Sequence, residues 1–121
     1  MLVLGIALAG AIGAPARYLV DVIVIERSKG GLPAGTFIIN VTGSFLLGIL
    51  TGLALYHAFP STPKTILGTG FCGAYTTFST FTYEVVHLAE GGARRAALLT
   101  LVGGLVVPAL AAGLGLALAA L

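Results

Sequence analysis

Apolar residues run almost without interruption along this chain, and the points where polar residues, Pro and Gly break the run define its elements. A helix needs about 20 apolar residues to cross roughly 30 Å of hydrocarbon. Four runs meet that length, at about 2–25, 36–59, 65–89 and 93–121. Between them lie ERSKGGLPAG, PSTPK and EGGARR, short connectors that combine turn formers with a charge. Links this short make consecutive helices antiparallel and leave no room for a further folded unit. The pattern predicts one all-α integral membrane domain over residues 1–121, with four membrane-spanning helices. Glycines recur in every run, Gly48 and Gly52 as a GxxxG pair among them. In lipid such small residues let helix backbones approach closely.

Composition strengthens this picture. The chain has 121 residues, 58% apolar and 8% charged, with a mean hydropathy of +1.09. Soluble domains carry about 25% charged residues. Six basic and four acidic side chains, net +2, are too few and too scattered for a nucleic-acid surface. They bear on orientation instead. Arg27, Lys29, Arg94 and Arg95 fall on one side of a four-span arrangement, and Lys64 falls on the other with both termini. The positive-inside rule makes the first set cytoplasmic. The opening MLVLGIALAGAIGAPA has no basic residue before its apolar run, so it reads as a retained first span and not a cleaved signal. Cys72 is the single cysteine, which excludes an intrachain disulfide.

Two motif matches fail on physical grounds. GTGFCG at 68–73 satisfies the dinucleotide pattern without the strand and soluble βαβ unit it requires, and Asn40-Val41-Thr42 fits a glycosylation acceptor inside a span. His57 and His87 sit near span ends, as wetted anchors do. No triad or paired carboxylates share a face, so catalysis is not expected. What remains are polar groups at membrane depth, which are functional hypotheses by default. They are Arg17 and Asp21, then Thr36, Asn40, Thr42 and Ser44, then Thr76 to Thr82 with Glu84, and finally Thr100. Arg17 and Asp21 share a helix face, and mutual neutralisation and a place at a pore mouth both remain open for them.

The third run is the most unusual. In GFCGAYTTFSTF, at 70–81, Gly70, Gly73 and the adjacent threonines weaken helix propagation, Gly by about 1 kcal/mol relative to Ala. A break near the middle of this helix is predicted. Broken backbone is tolerated at that depth only inside protein or beside a water-filled cavity, where freed carbonyls can bind a small cation. Phe78 and Phe81 are three apart and share a face. Ring edges are electropositive, so the pair could face an anion. On residue chemistry alone, simple interior packing of the rings is the favoured reading.

GAIGAPARY at 10–18, GTFIINVTGSFLLG at 35–48, GFCGAYTTFSTF and the four-span length together resemble the CrcB/Fluc family of fluoride channels. The resemblance implies a subunit that pairs with a second in inverted orientation, a dual-topology, antiparallel dimer. It also implies passive, selective export of fluoride across the inner (plasma) membrane, reducing fluoride toxicity. Carried over by position, Phe78 and Phe81 match the family's phenylalanine box and Asn40 its pore-lining asparagine. Thr36 looks like a further hydroxyl on that pathway, continued by Ser44 and, on span four, Thr100. Gly73 and Thr76 match a structural site for non-transported Na⁺ made of backbone carbonyls, and Arg17 resembles the family's span-one arginine beside a vestibule.

Span four departs from the family, whose members commonly carry spaced hydroxyls there. This chain offers Thr100 alone, followed at four-residue steps by Gly104 and Pro108. A homodimer is the expected assembly, with pairing to a different, oppositely oriented homologue as the alternative. Two other functional classes fit a four-span chain. A small proton-coupled multidrug transporter needs an embedded carboxylate in span one, for which Asp21 is the candidate. A non-transporting packing subunit of a membrane complex needs only the glycines, and leaves the hydroxyls unexplained.

Overall fold

The computed structural model describes residues 1–27 and 34–121. Lys29, used above in the charge bias, lies outside them. The chain opens with α1 (Leu2–Arg27) and α2 (Ala34–Tyr56). The third run follows as α3 (Ser61–Thr65), a π-helical stretch (Ile66–Cys72), α4 (Gly73–Tyr75) and, after an interruption, α5 (Ser79–Glu90). The described chain closes with α6 (Arg94–Ala119). By length and composition α1, α2 and α6 can each cross a membrane.

PSTPK is not a loop, as the sequence pattern predicts, because α3 begins at Ser61 directly after Pro60. Pro63 is tolerated there since the first N–H groups of a helix have no internal partner to lose. The end of α2 explains the early start. Ala58 takes a left-handed backbone, φ 53°, and the Phe59 N–H donates to the Leu53 carbonyl at 3.1 Å. This tight helix stop closes the turn within a few residues.

The short connectors predict consecutive helices as packing neighbours, yet the most extensive contacts join alternate ones, α2 with α6 and α1 with the π-helical stretch. Both pairs are parallel. Along α1, Gly5 faces Ile66 and Gly13 faces Phe71; along α2, Gly48 faces Ala112 and Gly52 faces Ala119. Glycine selects these partners. A Cβ on Gly70 would stand 2.7 Å from the Ile6 carbonyl oxygen, and one on Gly48 would stand 2.9 Å from the Ala112 carbonyl carbon. Backbone touches backbone in both pairs, as expected where dispersion and packing replace the hydrophobic drive.

The core is correspondingly thin. Among the described residues its buried apolar members are Ile39, Leu50, Cys72, Tyr75, Phe81, Ala97 and Ala119, while large side chains such as Leu8, Ile12, Leu99 and Leu110 face outward. An apolar exterior over a small-residue interior suits a chain solvated by lipid.

The packing makes a specific demand on Gly48. Gly48→Leu is expected to lower stability by about 1–3 kcal/mol through overpacking, measured as thermal unfolding in detergent. Gly113, where a methyl group would meet nothing within 4 Å, provides the contrast: Gly113→Ala should stay within about 0.5 kcal/mol of the parent.

Candidate functional site

The third run leaves helical geometry at Thr76, whose backbone is extended at φ −83° and ψ 162°. In a continuous helix each N–H donates to the carbonyl four residues earlier. Here that ladder is diverted. The Thr77 N–H donates to Asn40 Oδ1 at 2.9 Å, and Asn40 Nδ2 donates to the Thr77 carbonyl at 2.8 Å. The Thr80 N–H donates to Thr77 Oγ1 at 3.1 Å, a hydroxyl cap three residues before it at the start of α5. The carbonyls of Gly73 and Thr76 thereby lose the donors a helix would give them. Among the described residues no cluster of His, Cys, Asp or Glu could hold a metal, so a cation here would meet backbone oxygens.

Most of the hydroxyl run serves the backbone. Thr76 Oγ1 donates to the Cys72 carbonyl at 2.8 Å, and Thr82 Oγ1 donates to the carbonyls of Phe78 and Ser79 at 3.1 and 3.0 Å. Ser79 Oγ lies 3.4 Å from Thr77 Oγ1. Gly43 admits the break, since its face is filled by the Thr76 methyl and the Tyr75 ring. Tyr75 in turn shares a hydrogen bond of 2.9 Å with Thr42. Among the described residues no buried side-chain nitrogen or oxygen lacks a partner.

Two cavities flank the break. The larger, about 130 Å³, is lined by polar residues, Arg17, Tyr18, Asp21, Thr36, Thr77 and Thr80, together with Ile39. An Asp21 carboxylate oxygen sits against Gly35, beside the N-terminal turn of α2, where a negative charge is favoured. The smaller cavity, about 10 Å³, gathers Thr36, Asn40, Phe81, Glu84, Thr100 and Gly104, with Phe37 alongside. That volume is close to the smallest that holds one water molecule.

The sequence-predicted residues therefore divide. Thr36, Asn40, Phe81 and Thr100 converge on the small cavity, Arg17 on the large one, and Gly73 and Thr76 on the break. Ser44, half-buried one turn beyond Asn40 on α2, lines neither cavity. Phe78 and Phe81 are ring neighbours, with centroids 5.8 Å apart and planes tilted by 52°. Their surroundings differ sharply, for Phe81 is 4% exposed and Phe78 68%. Phe78 precedes the first residue of α5 and projects outward, whereas Phe81 is turned onto α6.

Glu84, Gly104 and Thr77 have roles that residue spacing did not reveal. Thr36 Oγ1 donates to Glu84 Oε1, joining α2 to α5. Gly104 is the seat of the Phe81 ring: a Cβ there would stand 2.9 Å from both Cδ1 and Cζ. The ring thus fills the space that a side chain at position 104 would take. Thr77 was one hydroxyl in a run of many. The signals in the sequence were a carboxylate at membrane depth, a glycine in the register of Thr100, and a Thr preceding a helix start.

Comparison with known proteins places these residues in context. Residues 4–116 match the model of the family described as CrcB-like protein, Camphor Resistance (CrcB). The chain is 53% identical over 116 residues to the fluoride-specific ion channel FluC 1 of Leifsonia xyli subsp. xyli, covering 96% of this chain and 85% of that one. It is 47% identical over 119 residues to FluC 2 of Cutibacterium acnes, covering 98% and 97%. The fluoride-specific ion channel FluC of Acidobacterium capsulatum is 46% identical over 114 residues, covering 93% and 91%.

The seat at Gly104 sets an energetic expectation. Gly104→Ala should destabilise the protein by about 1–3 kcal/mol by displacing the Phe81 ring. Combining it with Phe81→Leu should recover a good part of that loss, a coupling read from a double-mutant cycle of thermal unfolding.

Proposed function

The chain belongs to the CrcB-like family, and we propose that it is a fluoride-specific ion channel that lets cytoplasmic fluoride leave passively through a cell membrane. The observation that carries this reading is the small cavity. A buried phenylalanine ring, an amide, two hydroxyls, the Glu84 carboxyl and a glycine seat enclose a space of about 10 Å³, the size of one desolvated ion or water molecule. The electropositive edge of Phe81 and the second Asn40 N–H offer an anion partial positive charge without a fixed countercharge that would trap it. Arg17 in the larger cavity raises anion concentration at the approach. The Thr36 hydroxyl is engaged by Glu84, so a passing anion competes with that carboxylate for the proton.

The assembly belongs to the same proposal. Four crossings are supported by the parallel packing of α1 with the third segment and of α2 with α6, which requires the broken third run to traverse as well. The outward Phe78 and the exposed Gly73 leave the break open to a second subunit, and its inverted orientation is what the family resemblance implies. One chain supplies the Gly73 and Thr76 carbonyls, and an inverted second copy would double the set around a structural Na⁺. These are hard oxygen donors, which fit such a cation. Bound there, Na⁺ would be held by the negative ends of carbonyl dipoles that the break leaves without their helical N–H partners. The multidrug-exchange reading is disfavoured because the curated relatives are named fluoride-specific ion channels.

Purified chain reconstituted alone in liposomes should release fluoride, and not chloride, as read by ion-selective electrodes. Phe81→Ile and Phe78→Ile should each reduce that release by about tenfold or more while the dimer persists. Undiminished efflux from both variants would remove the rings from the pathway. Efflux only after co-reconstitution with a homologue would establish a heterodimer.

A further inference from the structure

Gly73 and Thr76 have no unusual side-chain chemistry to recommend them as cation ligands. Their carbonyls become available because the N–H groups that would close them are taken elsewhere. A helix would give the Thr77 N–H to Gly73 and the Thr80 N–H to Thr76. Asn40 Oδ1 takes the first and Thr77 Oγ1 takes the second. Each diversion uses one side-chain oxygen, and each frees one carbonyl of the pair.

We infer that Asn40 and Thr77 are the positioning residues of the cation site at the break, Asn40 acting on the Gly73 carbonyl and Thr77 on the Thr76 carbonyl. This rests on the reading that those carbonyls hold Na⁺. Neither side chain touches the ion; each withholds a competing hydrogen bond. Asn40 does so from a second helix, and its Nδ2 anchors the Thr77 carbonyl at the same time, so the freed segment cannot swing back into helical register. Asn40 also lines the small cavity. Cation site and anion path therefore share one amide, and a change at either is transmitted to the other. The Thr76 hydroxyl donates its proton to the Cys72 carbonyl and diverts no backbone N–H.

The test is Na⁺-specific stabilisation of the purified dimer in detergent, titrating NaCl against N-methylglucamine chloride at constant ionic strength and reading thermal unfolding. For the parent, stability should rise with Na⁺ to a plateau. In Thr77→Val, which keeps the shape and loses the acceptor, and in Asn40→Leu, the Na⁺ concentration at half-maximal stabilisation should rise by about tenfold or more, the scale of one lost ligand-quality interaction. Thr77→Ser should restore the parent value, since its hydroxyl still accepts from Thr80. A purely structural role would lower stability equally at every Na⁺ concentration and leave the midpoint where it was. That result in both variants overturns the inference while leaving the cation site standing. A parent that shows no Na⁺ response overturns the site and the inference together. The two variants act on different carbonyls, so if one does not assemble the other still decides.

Discussion

A hydrocarbon solvent leaves backbone polar groups nowhere to go but into the protein, and the exchange of two hydrogen bonds between the Asn40 amide and the Thr77 backbone is what lets this chain break a helix under that constraint. The interruption is costly by itself, because several N–H and carbonyl groups lose their partners at once. A side-chain amide is suited to the repair, since it presents one donor and one acceptor in the geometry of a peptide group. Thr77 completes the repair by capping the restarted helix. The groups left over are carbonyls on one side of the break and ring edges on the other, and both are features an ion can use.

That exchange works only if α2 is held close to the third run, and glycine holds it there. Gly43 lets the Thr76 methyl and the Tyr75 ring press onto α2. Gly48, Gly52 and Gly115 bring α6 against the far half of the same helix, and Gly104 receives the Phe81 ring. Small residues thus act twice, first as packing surface and then as the space into which functional side chains fit. Gly104 of span four is an instance of the second use. A hydroxyl at position 104 would compete with the ring for the same volume.

Much of the fold was legible in the sequence because its causes are local or statistical. Run lengths, the weak helix propensity of GFCGAYTTFSTF and the stripes of glycine are all properties of short windows. Where the reading of the sequence missed, the cause lay in context. PSTPK has the composition of a turn, but a proline in a first turn has no hydrogen bond to forfeit, and the tight stop after Tyr56 pulled the next helix forward. Spacing puts Thr36, Asn40 and Ser44 on one face without saying which of them meet a cavity: Thr36 and Asn40 line the small one, and Ser44 is half-buried beyond it. Phe78 and Phe81 are equivalent by spacing and opposite in burial, because the helix begins between them.

The sequence by itself determined that this chain dissolves in lipid, where its helices lie, and that residues 70–81 could not remain a plain helix, since those outcomes depend on hydropathy and local backbone energetics. Only the tertiary structure decided which polar groups meet. Thr36 and Glu84 are far apart in the chain, as are Asn40 and Thr77, and Phe81 and Gly104. Their pairing is set by how parallel helices settle against one another through glycine, and no single window of sequence contains that information. The polar residues could be named beforehand, but whether each would serve the backbone or line a cavity depended on its neighbours in space.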